Sequence, residues 1–121
     1  MKLSLALILI LSSAFVFGQT AELSFSETQF QFPDTIAGPT LSHDFHFTNK
    51  GTAPLVFTDF KVECTCTKVI FPKKPILPGE KGKLTVTFDT KGKQYWQNRI
   101  IEIYSNSKRN PAKIRIKVYI N

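Results

Sequence analysis

The sequence has few of the residues on which most catalytic and metal sites depend. Its 121 residues include two cysteines, two histidines, one tryptophan and one methionine. Zinc sites usually need four cysteine or histidine ligands, and His43 and His46 would point to opposite faces of a strand, so at most one could join the cysteines. No nucleophile elbow, phosphate-binding glycine loop or metalloprotease helix motif occurs. We therefore expect a protein that is not an enzyme and carries no cofactor.

The two cysteines are separated by one residue, Thr65. In an extended strand the Cα atoms of Cys64 and Cys66 would lie about 6.6 Å apart with parallel Cβ directions, so a disulfide would need the chain to bulge or turn at Thr65. By the chain-entropy model, so short a loop would contribute only about 1.6 kcal/mol. Three interpretations stay open: a small buried pair or local clip at a strand-to-turn corner, a redox couple, or two thiolates binding Cu(I) or Zn(II).

Long apolar runs are also absent, except at the N-terminus. Lys2 precedes an apolar segment, residues 3–11, and small and apolar residues then lead to Gly18. This order is typical of a secretory signal peptide that is cut after Gly18, with Gln19 as the new N-terminus. The run is shorter than the roughly 20 residues that a transmembrane helix needs. We predict a signal peptide over residues 1–18, one domain over residues 19–121 without a transmembrane segment, and export to the periplasm or the extracellular space.

The rest of the chain alternates apolar and polar residues in short segments that end at turn residues. Segments of this kind at intervals of about ten residues predict an all-β antiparallel sandwich. A change of alternation near Thr58 predicts a bulge. No window beyond the signal peptide has the period of an amphipathic helix. The predicted strands are residues 22–26, 28–32, 41–48, 55–63, 68–71, 83–89, 99–105 and 113–120.

The segment 41–48 contains both histidines. Its alternation places His43 on the apolar face and puts Asp44 and His46 together on the opposite face. We expect a hydrogen-bonded core histidine and a surface pair, not a catalytic group. The chain should reverse just after this segment, at Asn49 and Gly51, because both residue types tolerate positive φ.

The chain is basic, with a formal net charge of +7. Lys113, Arg115 and Lys117 form a row on one face of the last predicted strand. Such a row suits acidic partners such as anionic lipid head groups, or it is a solvated face that protects an edge strand from pairing. Tyr95 and Trp96 lie in a predicted loop, where exposed aromatic rings bind sugars or proteins. We predict Tyr95, Trp96 and, as a secondary choice, Arg115 as partner-binding residues.

Several short motifs together resemble one bacterial secreted family, catalogued as domain of unknown function fifteen-seventy-three and related to Hydin and ASH-type domains. The resemblance covers roughly residues 30–120 and implies an immunoglobulin-like β-sandwich of about seven to eight strands. The family often has glycine between the two cysteines, whereas the β-branched Thr65 disfavours a tight turn. The motifs are Phe45-x-Phe47-x-Asn49-x-Gly51-x-x-Pro54-Leu55, Cys64-x-Cys66-Thr67, Ile76-x-Pro78-Gly79, Val86-x-Phe88-Asp89-Thr90 and Ser105-Asn106.

The sequence thus favours a secreted, non-enzymatic, immunoglobulin-like module of the cell envelope. Its expected role is to bind or scaffold an envelope protein or polysaccharide, and export makes nucleic acid an unsuitable partner. The alternative, from a different functional class, is a periplasmic thiol-redox or copper-handling protein that acts through Cys64 and Cys66.

Overall fold

The structure, a computed structural model, describes residues 18–121. Residues 1–17 of the predicted signal peptide lie outside this range, so the signal peptide stays a prediction. Within residues 18–121, no helix has the length and apolar character needed to cross a membrane.

The described chain forms eight strands in two packed sheets, which confirms the predicted all-β sandwich. The first sheet has the order β1-β3-β6-β5, and the second has the order β2-β8-β7-β4. The strands are β1 (Leu23–Phe25), β2 (Gln29–Gln31), β3 (Thr40–Asn49), β4 (Phe57–Lys61), β5 (Thr67–Ile70), β6 (Lys81–Asp89), β7 (Tyr95–Ser105) and β8 (Ala112–Ile120).

The core lies between the two sheets and follows from the alternation of the long strands. In β8, every second residue from Ile114 to Ile120 is buried, while Lys113 and the residues between them face outward. Each fully buried aliphatic or aromatic side chain contributes about 1.5–3 kcal/mol relative to an exposed one. The largest fully buried side chains are Phe45, Phe47, Phe88, Leu55, Leu84, Ile101, Ile103, Ile114, Ile116, Ile120, Val86 and Val118.

The two N-terminal strands lie in different sheets, and one pairing departs from the predicted antiparallel arrangement. Strand β1 pairs antiparallel with β3 in the first sheet, whereas β2 crosses to the second sheet and pairs parallel with β8, with Phe30 beside Ile116. Strand β8 is therefore central in its sheet, between β2 and β7. The interpretation that the basic row protects an edge strand is wrong, because this row lies on an interior strand.

Strand β4 is shorter than predicted and contains the predicted bulge. Its pairing with β7 shifts register between Phe57 and Asp59, so Thr58 is the extra residue. Leu55, predicted as part of this strand, instead makes an isolated bridge to Ile76. The bulge lets Phe57 and Phe60 both face the core although they are three residues apart.

The turn after β3 depends on contacts that differ from the prediction. Neither Asn49 nor Gly51 has a positive φ. A Cβ atom on Gly51 would instead meet the backbone of Thr20 and lie 2.6 Å from the nitrogen of Glu22. Gly51 is therefore required because two chain segments approach each other closely at this residue. Its backbone φ is in a region that residues other than glycine also adopt.

Candidate functional site

The candidate site is the outward surface of β7 and β8, which we call the β7–β8 face. The two strands pair along nine residues, which places Trp96 beside Tyr119 and Ile100 beside Arg115. Because successive side chains alternate between faces, the outward residues of both strands form one flat surface. They are Trp96, Asn98, Ile100, Glu102 and Tyr104 on β7 and Lys113, Arg115, Lys117 and Tyr119 on β8.

One end of the β7–β8 face carries three aromatic rings. Tyr95 and Trp96 are 64% and 60% exposed, and the ring centroids of Trp96 and Tyr119 lie 5.4 Å apart in an edge-to-face arrangement. The sequence predicted Tyr95 and Trp96 in a loop, but they begin β7. The turn that contains Gly92 ends before Tyr95, so it is shorter than the predicted loop.

Tyr95 has φ +65°, which is the left-handed region. A bulky residue seldom adopts this conformation, and it typically costs of the order of 1–3 kcal/mol. The segment around Tyr95 is held by a local hydrogen bond, because the side-chain amide of Gln97 donates to the carbonyl oxygen of Gln94 at 2.7 Å. The chain thus has a left-handed residue where the exposed aromatic pair begins.

The basic residues continue the β7–β8 face away from the rings. The two ion pairs within residues 18–121 lie elsewhere, so Arg115 and Lys117 have no ionic partner there. Glu102, the one acidic residue on this face of β7, lies across from Lys113 and accepts a hydrogen bond from the hydroxyl of Tyr104 at 2.8 Å. That bond, with partial burial and the negative charge, raises the pKa of Tyr104 above its usual value. Positive charge on the face is therefore least compensated at Arg115 and Lys117.

The two cysteines form a disulfide in the turn between β4 and β5, with Cα atoms 5.1 Å apart. The expectation that Thr65 would disfavour this turn is wrong. The turn is closed by the bond from the Thr67 nitrogen to the carbonyl oxygen of Cys64, at 3.1 Å, and the carbonyl oxygen of Cys66 accepts from the nitrogen of Asp89 at 2.8 Å. The pair therefore lies at a strand-to-turn corner, where the chain passes from the second sheet to the first.

The histidines do not join the cysteines. His43 is 20% exposed, hydrogen-bonds Glu27 through Nε2 at 2.5 Å and stacks on the ring of Phe30. Within residues 18–121, no three histidine, cysteine or acidic side chains form a group that could hold a metal ion. Among the described residues, only Cys64 and Cys66 are thus left as candidate ligands for Cu(I) or Zn(II), and they could bind a metal only after their disulfide is reduced.

Asp44 and His46 share the outward face of β3, as predicted, but the Asp44 carboxylate has its hydrogen-bond partners on β6. The Asp44 carboxylate accepts hydrogen bonds from Thr85 Oγ1 at 2.7 Å and Lys83 Nζ at 3.3 Å. The hydrogen bond from Thr85 is the largest cause of a lowered pKa at Asp44, with Lys83 and His46 adding positive charge nearby. These partners come from β6, which sequence alternation alone could not place beside β3.

The sequence also missed an open cleft of about 770 Å³ beside β1. Its walls include Leu23 and Phe25 on one side and the basic residues Lys108 and Arg109 on the other. In the sequence, the neighbouring basic residues Lys108 and Arg109 were the only indication of this cleft. The cleft contains none of the predicted partner-binding residues, and it shares Lys113 with the β7–β8 face.

Comparison with protein families gives one decisive match. The model described as "Protein of unknown function (DUF1573)" matches residues 23–120. The chain belongs to this family. The resemblance in the sequence motifs is thereby confirmed, over a span that contains all eight strands of this DUF1573 domain. No curated protein matches the chain.

Solved structures share the fold of this DUF1573 domain at low sequence identity. An ASH / PapD-like domain of human CEP192 superposes with a TM-score of 0.69 and 8% identity, covering 90% of this chain and 92% of that one. A protein of unknown function from Porphyromonas gingivalis gives 0.73 and 20%, covering 88% of this chain but 50% of that one. The VesB protease of Vibrio cholerae gives 0.63 and 16%, covering 83% of this chain and 32% of that one. The last two proteins are therefore much longer than the part they share with this chain.

Proposed function

We propose that this domain is an exported, non-enzymatic module of the cell envelope that binds or scaffolds an envelope protein or polysaccharide through the β7–β8 face. The observation that carries the proposal is the exposure of Tyr95 and Trp96 on the same face as Arg115 and Lys117, which have no ionic partner within residues 18–121. Tryptophan, tyrosine and arginine are the residues that most often supply the binding energy of an interface.

The chemistry of the β7–β8 face favours a partner with both planar apolar and acidic groups. The rings of Trp96 and Tyr119 offer a surface for stacking on a sugar or a side chain. Arg115 and Lys117 offer charge-assisted hydrogen bonds to carboxylate or phosphate groups. Arg115 also pairs across the strands with the exposed Ile100, so charged and apolar contacts lie side by side.

The test uses residues 19–121 as bait for proteins and polysaccharides of a cell-envelope extract. The Trp96→Ala variant should bind any captured partner at least about tenfold more weakly, which corresponds to a loss of about 1.4 kcal/mol. The matched control is Ile70→Ala, because Ile70 is 64% exposed on β5 of the other sheet. Equal loss in both variants, or no loss for Trp96→Ala, would contradict the use of this face.

A redox or copper-handling role is the second candidate, and the disulfide itself is the observation that favours it. Cys64 and Cys66 are each only partly buried and the loop between them is a single residue. A thiol reductant would have to convert the disulfide to two thiolates, taking up two electrons, before Cu(I) could bind.

The two candidates predict different results for the purified protein. The binding proposal predicts no bound copper by elemental analysis and no disulfide reductase activity. It also predicts that partner binding survives Cys64→Ser combined with Cys66→Ser. Equimolar copper, or reductase activity that disappears in the double variant, would favour the redox role and assign the function to these two residues.

A further inference from the structure

Strand β7 has one edge that no strand of residues 18–121 covers along half its length. Strand β8 pairs with β7 from Tyr95 to Ile103, whereas β4 pairs with β7 only from Glu102 to Ser105. The chain leaves the sheet after Lys61 and crosses to β5 through the disulfide turn. The β7 segment from Trp96 to Ile100, which we call the open edge, therefore has no paired strand on the β4 side within residues 18–121, and Val62 and Glu63 only line a hollow beside Ile100 at its end.

The hydrogen-bond directions show which backbone groups face the open edge. Arg115 and Lys117 use their backbone groups to bond the β2 side, since Arg115 donates to Thr28 and Lys117 accepts from Phe32. In an antiparallel pair, the groups of successive residues point to opposite sides. The even-numbered residues of β8 therefore bond β7, and their direct partners there are odd-numbered.

It follows that the odd residues of β7 are paired with β8, while the N–H and C=O groups of Trp96, Asn98 and Ile100 point to the open edge. Within residues 18–121, one of these six groups has a partner: the carbonyl oxygen of Asn98 accepts from Nη1 of Arg99 at 3.1 Å. A row of unpaired strand groups is a template for another strand. Both ends of the open edge are defined, by the left-handed conformation of Tyr95 and by the start of β4 pairing at Glu102.

The side chains of the open edge complement a second copy of themselves. In an antiparallel pairing centred on Asn98, Trp96 lies beside the partner's Ile100, and the two asparagines face each other. Trp96 and Ile100 are 60% and 41% exposed in the single chain, and an aromatic beside a β-branched residue is a favourable cross-strand pair. On the inner side Arg99 faces the partner's Gln97, so no like charges are directly opposite.

We propose that two copies of this domain pair antiparallel through the open edge, with Asn98 on the twofold axis. Each of three residue pairs exchanges two backbone hydrogen bonds, which gives about six bonds across the axis. The second sheets of the two copies then form one continuous sheet, with both β7–β8 faces on the same side. The proposal does not depend on the proposed function, because it concerns only the association of the purified domain with itself.

Amide hydrogen exchange tests the pairing directly. Between about 10 µM and about 1 mM protein, a range that spans weak association, exchange at Trp96, Asn98 and Ile100 should slow by about tenfold or more. Gln97 and Arg99 are internal controls, because β8 already protects their N–H groups at every concentration. Exchange at the three open-edge amides that does not change with concentration would overturn the proposal.

Variants at the centre of the open edge test the same pairing by sedimentation. Asn98→Pro removes an N–H group that faces the open edge, so it spares the pairing of β7 with β8 while blocking the second copy. Asn98→Ser keeps this N–H group and should still dimerise, whereas Ile100→Asp should be monomeric because each copy would place a carboxylate against the partner's Trp96, where no cation compensates it. Should Asn98→Pro fail to fold, Ile100→Asp decides the question. A wild-type chain that is monomeric at about 1 mM, or a dimer that persists in Asn98→Pro and Ile100→Asp, would overturn the proposal.

Discussion

At the scale of single residues, Asn49 joins three chain segments through one buried side chain. Its Oδ1 accepts from the backbone nitrogens of Glu22 and Gly51, and its Nδ2 donates to the carbonyl oxygens of Ala53 and Ile76. The side chain thereby satisfies backbone groups that lie outside the regular strand pairing. The asparagine of the sequence motif therefore has a structural role.

Replacement of this side chain should be costly. In Asn49→Ala, the nitrogens of Glu22 and Gly51 and the carbonyl oxygen of Ala53, all partly buried, lose their partner, and each unsatisfied group costs about 1–3 kcal/mol. The carbonyl oxygen of Ile76 keeps the hydrogen bond from the nitrogen of Leu55. We expect the free energy of unfolding in urea to fall by at least about 3 kcal/mol. Asn98→Ala, at an exposed position and at low protein concentration, should change it by less than about 0.5 kcal/mol. A similar small effect at both positions would refute the structural role of Asn49.

Removal of the disulfide should have a smaller effect than removal of Asn49. Because the bridge closes a loop of one residue, it restricts the unfolded chain little. Cys64→Ser combined with Cys66→Ser should lower the unfolding free energy by less than about 3 kcal/mol and leave the chain folded. Loss of cooperative unfolding in the double variant would show instead that the clip is needed for the fold.

The sequence predicted which residues form the turn after β3, but it predicted the wrong physical reason for a glycine at residue 51. A glycine beside an asparagine is typical of positive φ. The actual requirement comes from the backbone of residues 20–22, which is distant in sequence and packs directly against Gly51. A requirement of this kind depends on tertiary contacts and has no local pattern.

At the scale of strands, the alternation of the long strands predicted which side chains form the core, and the parity change predicted the bulge at Thr58. The pairing partners were less predictable. Strand β2 has three residues, too few for its pattern to specify a parallel neighbour at the far end of the chain. The predicted strand starts later in the sequence than β7 does, because the polar residues Gln97 and Asn98 interrupt the apolar pattern at the start of β7.

The pairing of β3 with β6 contains a contact that can be tested by substitution. Gly82 lies opposite Phe47, and a Cβ atom at residue 82 would lie 2.7 Å from Cζ of that ring. The ring is fully buried and has little room to move. Gly82→Ala should lower stability by about 1–3 kcal/mol, the usual cost of overpacking.

A double-variant cycle shows whether this cost arises from the ring. If it does, Gly82→Ala should cost less in a Phe47→Leu background than in the wild type, with a coupling energy of about 0.5 kcal/mol or more. Thr87→Ala, on the outward side of the same strand, serves as the control and should be additive with Phe47→Leu. Additivity of Gly82→Ala with Phe47→Leu would contradict the proposed clash.

At the scale of the whole molecule, contacts that hold the chain to the turn after β3 lie close to the predicted cleavage site. The backbone nitrogen of Thr20 donates to Thr52 Oγ1 at 3.2 Å, and its carbonyl oxygen accepts from the nitrogen of Thr52 at 2.7 Å. Gly18 and Gln19 are exposed and outside the strands. A cut after Gly18 would therefore leave these contacts intact.

Export can be tested by the intact mass of the protein isolated from its native host. The mass should correspond to a chain that starts at Gln19, in an envelope or extracellular fraction. Recovery of the uncut chain from the cytoplasm would contradict the prediction. The host protein is needed for this measurement, because a foreign signal peptidase can choose another site.

The parallel pairing of β2 with β8 determines how the domain would carry mechanical load. The start of β2 lies beside the start of β8, and the chain leaves β8 at the opposite end, where Asn121 donates to the carbonyl oxygen of Thr35 at 2.9 Å. Tension between a point just before β2 and Asn121 therefore acts along the strands. The evenly spaced bonds of a parallel pair would share that tension and break together, whereas a hairpin opens one bond at a time. We expect the domain to resist stretching when the tension is applied between these two points.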